Sequence, residues 1–316
     1  AEMLRQESGS LLLFLPGVGE IQRVQEQLAS RIGSDVLLCP LYGALSLNDQ
    51  RKAILPAPQG MRKVVLATNI AETSLTIEGI RLVVDCAQER VARFEPRTGL
   101  TRLITQRVSQ ASMTQRAGRA GRLEPGICLH LIAKEQAERA AAQSEPEILQ
   151  SDLSGLLMEL LQWGCSDPAQ MSWLDQPPVV NLMAAKRLLQ MLGALDGERL
   201  SAQGQKMAAL GNDPRLAAML ISAKNDDEAA TAAKIAAILE EPPRMGNSDL
   251  GVAFSRNQPA WQQRSQQLLK RLNVRGGEAD SSLIAPLLAG AFADRIAHHR
   301  GQDGRYQLAN GMGAML

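Results

Sequence analysis

The feature that most constrains this chain is an alternation of short, mostly apolar runs with helical patterns through its first half. The runs SLLLFL (10–15) and KVVLAT (63–68) are typical of strands that are buried on both faces of a sheet. Residues 20–32 place apolar side chains at helical spacing, and a second helical segment, 48–54, stops before Pro56. Further strands are predicted at 36–38, 82–84 and 127–132. This order predicts an α/β fold, in which helices cover both faces of a parallel sheet.

The sequence becomes mostly helical after Pro146. Helices are predicted at 149–161, 184–192, 214–239 and 261–272. The strand-like segment GERLSAQG (197–204) lies among them, a combination that resembles a winged-helix unit. A polar stretch with Pro and Gly, 240–257, predicts a loop, and the mixed segment 293–308 predicts the start of a β-domain.

Composition excludes several classes of protein. The net charge of +1 gives no global field that would attract a polyanion. The four cysteines are far apart and form no C-x-x-C pair, so the sequence predicts neither a zinc site nor a disulfide framework. No apolar run approaches the roughly 18–20 residues that cross a bilayer. We therefore expect a cytoplasmic protein with no bound metal and no membrane partner. Because the chain opens on Ala1 rather than on Met, we also expect it to be a piece of a longer one.

Positive charge is concentrated in one part of the chain. Between Arg90 and Arg122 there are eight arginines and a single acid, Glu95, which gives a local charge of +7. Arginine without lysine is typical of geometric recognition of phosphate, whereas a solvated arginine-rich face is the alternative. The octet QRAGRAGR (115–122) favours phosphate, because on a helix its three arginines would share one face and could meet the charge of a triphosphate.

A second polar motif, ATNIAETSLT (67–76), directly follows the strand KVVLAT. Loops at the carboxyl ends of parallel strands are where α/β folds bind ligands, and the hydroxyl and amide groups here suit phosphates. The alternative is a Thr/Ser-rich helix N-cap.

Together, ATNIAETSLT and QRAGRAGR closely resemble motifs V and VI of the DEAH-box helicases. The segments LLFLPG (12–17), LYGALSLNDQR (41–51) and FEPRTGL (94–100) fall in register with the same family. The resemblance implies four domains: a second RecA-like domain (1–146), a winged helix (147–205), a ratchet-like helical bundle (206–289) and the start of an OB-like domain (290–316). It also implies the C-terminal part of a helicase that couples ATP hydrolysis to translocation on single-stranded RNA or DNA.

Roles follow from the resemblance residue by residue. It implies catalytic roles for Gln115, which would hold the attacking water, and for the arginine fingers Arg119 and Arg122, which would also bind nucleotide. Further nucleotide contacts are implied for Ser74 and Glu78. Nucleic-acid contacts are implied for Gly43, Ala44, Thr68, Asn69 and Arg97. Ile54 stands where related proteins often have a phenylalanine that stacks on the base, so selectivity among nucleotides stays open.

Two motifs are absent from the sequence. It contains no G-x-x-x-x-G-K-[ST] and no D-E-A-H box, so ATP and its Mg²⁺ are expected to be held mainly by a first RecA-like domain, the expected partner. We therefore expect little or no ATPase activity from this chain alone. Two alternatives stay open: a non-enzymatic nucleic-acid-binding or docking module, and a remodelling ATPase that does not separate strands. The sequence does not decide RNA against DNA, polarity or oligomeric state.

Overall fold

A computed structural model describes residues 1–73, 75–122, 124–211, 213–243, 249–301 and 304–315. The chain forms two compact units. The first consists of Ala1–Arg93 and Arg102–Gln150, and the second of Phe94–Thr101 and Ser151–Leu316. The finer division at 147, 206 and 290 stays a prediction.

The first unit contains the α/β pattern. Its elements, with the hairpin β5–β6 whose turn belongs to the second unit, are α1 (Glu2–Gln6), β1 (Ser10–Phe14), α2 (Val18–Ala29), β2 (Val36–Leu41), α3 (Leu47–Ile54), β3 (Arg62–Ala67), β4 (Ile80–Asp85), β5 (Gln88–Glu95), β6 (Leu100–Arg107), α4 (Gln110–Ala117), β7 (Ile127–His130) and α5 (Lys134–Glu138). A 3-10 turn, Asn69–Ala71, follows β3.

Five of these strands form one parallel sheet in the order β2-β3-β1-β4-β7. Residues alternate along each strand, so Leu12 and Phe14 enter one apolar cluster while Leu11 enters another. Ile21 of α2 belongs to the second cluster and Ala53 of α3 to the first. Helices therefore cover both faces, and the predicted α/β fold is confirmed. We call the end of the sheet where its strands finish the carboxyl edge; it is formed by Phe14, Leu41, Ala67, Asp85 and His130.

The hairpin β5–β6 was not predicted. Five of the eight clustered arginines lie on this hairpin, all of them exposed: Arg90, Arg93, Arg97, Arg102 and Arg107. Two of them pair with acids on other elements, Arg90 with Glu20 and Arg93 with Glu145. The alternative of a solvated, arginine-rich face therefore applies to the hairpin. Three arginines of the cluster, Arg116, Arg119 and Arg122, remain for another role.

The second unit is mostly helical, as predicted. Its elements are α6 (Ser154–Gln162), α7 (Val179–Met191), β8 (Leu195–Asp196), β9 (Arg199–Leu200), α8 (Ala202–Leu210), α9 (Pro214–Ile221), α10 (Asp226–Glu240), α11 (Leu250–Phe254), α12 (Pro259–Leu272), α13 (Ile284–Ala291), β10 (Ala297–His299), β11 (Arg305–Leu308) and β12 (Gly313–Met315). The hairpin β8–β9 lies where the wing was predicted, and β10–β12 form an antiparallel sheet.

Two predictions for this unit were wrong. The helix predicted at 214–239 is two helices, because Asn225 caps a new helix by accepting a hydrogen bond from the N–H of Glu228. The loop predicted at 240–257 contains α11, and its residues 244–248 lie outside the described ones. Among the described residues, no helix has the length and apolar character needed to span a membrane.

Candidate nucleotide and nucleic-acid site

The motif that follows β3 begins at the carboxyl edge and continues as a crossover loop, residues 68–79, to the start of β4. The N–H of Thr68 donates to the carbonyl of Leu41 at 3.2 Å, which fixes the start of the loop to the end of β2. The 3-10 turn Asn69–Ala71 follows, and Ala71 is buried in the apolar cluster beneath it. Ser74, one of the predicted nucleotide contacts, lies outside the described residues.

Helix α4 carries the second motif across the same face of the sheet. Ser109 caps it by accepting from the N–H of Ser112 at 3.1 Å. The helix ends at Ala117, so the expectation that one helix presents all three arginines was wrong. The chain continues in tight turns, with the N–H of Arg119 donating to the carbonyl of Arg116 at 3.1 Å. These turns keep a spacing of three residues. We call Arg116, Arg119 and Arg122 the arginine ladder.

Two glycines near the arginine ladder differ in their surroundings. A Cβ built on Gly121 meets no atom of the described residues within 4 Å. A close approach occurs at Gly126, where a Cβ would overlap the carbonyl of Ala120. Gly126 directly precedes β7, so this contact places the end of the ladder against the sheet.

Arg116 is almost fully buried, with 1% of its surface exposed. Its Nε donates to Glu72 Oε2 and its Nη1 to Asp85 Oδ1, each at 2.9 Å, and the guanidinium lies 4.9 Å from the centre of the Phe14 ring. Burial opposes the charge, but Asp85 and Glu72 outweigh it and raise the pKa of Arg116. Arg116 is thus held by carboxylates of its own unit.

Arg119 is also buried, but its partners are backbone carbonyls. Its Nε donates to the carbonyl of Glu72 at 2.7 Å and its Nη1 to that of Leu75 at 2.8 Å, while Nη2 also contacts the Glu72 carbonyl. Burial and, to a smaller extent, the charge of Arg122 lower the pKa of Arg119, although Glu72 partly offsets them.

The remaining predicted residues of the second motif are exposed. Arg122 donates from Nη1 to Thr76 Oγ1 at 2.9 Å. All three arginines of the ladder therefore form hydrogen bonds with residues 72–76 of the crossover loop. Gln115 lies in the last turn of α4. The two sequence motifs therefore form one hydrogen-bonded assembly, and the catalytic roles of Gln115, Arg119 and Arg122 stay predictions.

Glu78 lies at the other end of the sheet. It is exposed and directly precedes Gly79, whose carbonyl accepts from Ser10 at the start of β1. From Ile80 to the carboxyl edge β4 rises by roughly 16 Å at about 3.3 Å per residue. The structure therefore does not bring Glu78 together with Thr68.

Four of the predicted nucleic-acid residues do lie together. Gly43 and Ala44 form an exposed loop after β2, and Thr68 and Asn69 follow the neighbouring strand β3, with Leu41 and Ala67 in register. The Nε2 of Gln50 donates to the carbonyl of Leu45 at 3.0 Å, which holds the first loop. Both loops thus lie at the carboxyl edge. Arg97 is exposed and belongs to the second unit.

The sequence reasoning missed two acids that organise the ladder, Glu72 and Asp85. Asp85 has no exposed surface, and its Oδ1 also accepts from the N–H of Ala87 at 2.9 Å. Its Oδ2 lies 3.2 Å from Nδ1 of His130. A charged residue that ends the apolar run IRLVVD was the available signal, since a carboxylate buried in this way needs a partner. In the described part of the chain, no three His, Cys, Asp or Glu side chains are grouped so as to hold a metal ion.

Comparison with known proteins agrees with this arrangement. The helicase conserved C-terminal domain family matches residues 1–124. The ATP-dependent RNA helicase HrpB of Escherichia coli (strain K12) is 98% identical over 316 residues, which are all of this chain and 39% of that protein. The human probable ATP-dependent RNA helicase DHX34 is 41% identical over 220 residues, 68% of this chain and 19% of that protein. A crystal structure of the Escherichia coli DEAH/RHA helicase HrpB, also 98% identical, matches with a TM-score of 0.96 over 99% of this chain and 40% of that one.

The chain thus spans about two fifths of the length of the HrpB that it matches. Its match to the helicase conserved C-terminal domain covers both motifs, the crossover loop and the arginine ladder. On these findings, and on the parallel sheet that carries the motifs, the chain is similar over nearly its whole length to part of a DEAH/RHA helicase, and its residues 1–124 match the helicase conserved C-terminal domain family.

Proposed function

We propose that this chain is the C-terminal part of an ATP-dependent RNA helicase, in which ATP hydrolysis drives movement along single-stranded RNA. The observation that carries the proposal is the bonding of all three ladder arginines to residues 72–76 of the crossover loop. The same loop begins at Thr68, at the carboxyl edge. One continuous segment therefore joins the proposed nucleotide arginines to the proposed nucleic-acid contacts. The names of the related proteins support RNA as the nucleic acid.

On the nucleotide side, Arg119 and Arg122 stabilise the charge that develops on the transferred γ-phosphoryl group. Three N–H groups of Arg119 are directed at carbonyls, and its remaining N–H groups form no hydrogen bond within the described part of the chain and can meet a phosphate. Arg122 is exposed and has a hydroxyl partner that a phosphate can replace. Gln115 orients the attacking water, and Ser74 and Glu78 complete the nucleotide contacts.

Mg²⁺ and the phosphate-binding loop come from a first RecA-like domain in this proposal. Among the described residues, no three His, Cys, Asp or Glu side chains are grouped so as to hold a metal ion, and the sequence has no phosphate loop. Mg²⁺ would neutralise the charge of the β- and γ-phosphates when ATP is bound. The residues of this chain contribute the arginine side of the site, so the complete enzyme needs both domains.

On the nucleic-acid side, the loops at 43–44 and 68–69 bind the phosphate backbone. Gly43, Ala44 and Asn69 are exposed residues, and backbone amides and a threonine hydroxyl suit phosphate oxygens, which carry no sequence information. Binding of this kind is largely independent of sequence and weakens with salt. Arg97 contributes a further contact from the hairpin. We also propose the four-domain division given above and a cytoplasmic location.

The test is Arg119→Ala in the complete enzyme, with ATP turnover and RNA binding measured separately. Arginine fingers are worth about 10³–10⁵ in kcat, so turnover should fall by about 10³ or more while RNA binding persists. Arg23→Ala, an exposed arginine 3.6 Å from Glu20, is the matched control and should leave turnover unchanged. Loss of RNA binding with normal hydrolysis would instead indicate a binding module.

A further inference from the structure

The two ends of the β5–β6 hairpin, which we call its root, are joined by a hydrogen bond between Val108 and Ala87, next to Arg116. Ala87 precedes β5, is buried, and has a φ of +56°, a left-handed conformation that costs a non-glycine residue of order 1–3 kcal/mol. Two hydrogen bonds hold it there: its N–H donates to Asp85 Oδ1 at 2.9 Å, and its carbonyl accepts from Val108, which follows β6, at 3.1 Å. The conformation persists because its surroundings fix it.

Arg116 also forms hydrogen bonds at the start of this root, with Asp85 and Gln88. Its Nη1 donates both to Asp85 Oδ1 and, at 3.3 Å, to the carbonyl of Gln88, the first residue of β5. The position of the guanidinium therefore sets the position of the acceptor that holds Ala87. Breaking a buried ion pair of this kind leaves an uncompensated charge, so Arg116 and Asp85 have to move together.

At its other end Arg116 is joined to the proposed nucleotide arginine through a single residue. Glu72 accepts from Arg116 with its carboxylate and from Arg119 with its carbonyl. The contacts Arg119–Glu72–Arg116–Asp85 and the bond from Asp85 to Ala87 form an unbroken path of hydrogen bonds. A change in what Arg119 binds therefore reaches the hairpin root without crossing a gap.

We propose that Arg116 is a positioning residue that couples Arg119 to the root of the β5–β6 hairpin, so that RNA engaged by the hairpin raises ATP turnover along this path. The inference rests on the proposed function and adds to it the route of stimulation. The turn of the hairpin carries Arg97, one of the proposed RNA contacts. The buried pair Arg116–Asp85 is the central step, and neither residue is among the proposed nucleotide contacts.

The test uses the complete enzyme, ATP, and single-stranded polyuridine as the RNA. Asp85→Asn keeps the size of the side chain and removes its charge, and Glu72→Gln does the same at the partly buried carboxylate that accepts from Arg116, while the Glu72 carbonyl that binds Arg119 is kept. Asp35→Asn, at an exposed carboxylate, is the control. Basal kcat, stimulated kcat and KM for ATP are measured for each, together with thermal unfolding.

We expect Asp85→Asn to lower the ratio of stimulated to basal kcat by about fivefold or more, as is typical of coupling between sites. Any fall in basal kcat should be smaller than the fall in stimulated kcat, because only the stimulated rate depends on the hairpin. Adding Arg116→Lys to Asp85→Asn should lower the ratio no further, since both act on one link. If Asp85→Asn does not fold, Glu72→Gln decides, with the same expected loss.

Three results overturn the inference. The first is a normal ratio in the folded variant, and the second is an equal fall of basal and stimulated kcat, which would indicate a purely structural role. The third is an unsubstituted enzyme that polyuridine does not stimulate. The proposed function fails differently, because only there would Arg119→Ala hydrolyse ATP at the normal rate.

Discussion

Arg119 is held by the backbone of Glu72, with its Nε 2.7 Å from the carbonyl oxygen of that residue. A guanidinium bound to carbonyls keeps its full charge unneutralised, whereas Arg116, three residues earlier, is bound to two carboxylates. The two arginines of the same motif thus have different electrostatic roles. Arg116 is part of the structure of its unit, and Arg119 retains a charge that a phosphate can use.

The first prediction concerns stability. Arg119→Ala should destabilise the chain by about 1–3 kcal/mol, because the carbonyls of Glu72 and Leu75 lose their donors while they are partly shielded from water. Arg122→Ala is the matched control and should change the free energy of unfolding by less than about 0.5 kcal/mol, since Arg122 is exposed. Urea unfolding of the 316-residue chain measures both. Equal losses would mean that the carbonyl contacts contribute no stability of their own.

The second prediction concerns activity. The purified chain should release little or no phosphate from ATP, because its sequence has no phosphate loop to hold the β- and γ-phosphates. A phosphate-release assay at saturating ATP and Mg²⁺, with Arg119→Ala beside the unsubstituted chain, measures this. Turnover that disappears in Arg119→Ala would show that the chain holds a working site by itself, and the proposed dependence on a first RecA-like domain would be wrong.

The sheet could be predicted from the sequence because its strands are buried on both faces. Such strands are nearly continuous apolar runs, and five of them were found within a few residues of their bounds. The hairpin β5–β6 was missed because QERVARFE and LTRLITQR mix polar and apolar residues without regular alternation and carry four of the eight clustered arginines. Exposed strands of this kind have no strong signal without their partner.

The candidate site was predicted only in part, for a related reason. The motifs identified the ladder and the crossover loop, but the partners of Arg116 lie 44 and 31 residues away in the sequence. Nothing local indicates that Glu72 pairs with Arg116 while its carbonyl binds Arg119. Tertiary contacts decide which arginine is neutralised by carboxylates. The spacing of three residues cannot show this, because it is the same for all three arginines.

The third prediction compares two glycines of the same segment. Gly126→Ala should destabilise the chain by about 1–3 kcal/mol, because its Cβ would overlap the carbonyl of Ala120 and the backbone would have to shift. Gly121→Ala should be neutral or stabilise by about 0.4–1 kcal/mol, since its Cβ meets no atom of the described residues and its φ is not positive. Urea unfolding of both variants gives the difference. An equal change in the free energy of unfolding in the two variants would contradict the close approach at Gly126.

The last prediction concerns pH and the second unit. Asp294 accepts from Nη1 and Nη2 of Arg215, each at 2.7 Å. Burial would raise the pKa of Asp294, but the hydrogen bonds and charge of Arg215, together with the charge of Arg295, outweigh it and hold the pKa below its usual value.

A depressed carboxyl pKa stabilises the folded state above the unfolded value of about 3.9, and this stability is lost as the pH falls through the folded pKa. At neutral pH, Asp294→Asn should therefore lower the free energy of unfolding, because Arg215 is buried and loses its countercharge. The difference in the free energy of unfolding between Asp294→Asn and the unsubstituted chain should narrow as the pH falls below about 4. Urea unfolding across an acid series measures it, with Asp175→Asn, at an exposed carboxylate, as the control. A difference that stays constant with pH would mean that the charge of Asp294 does not stabilise the fold.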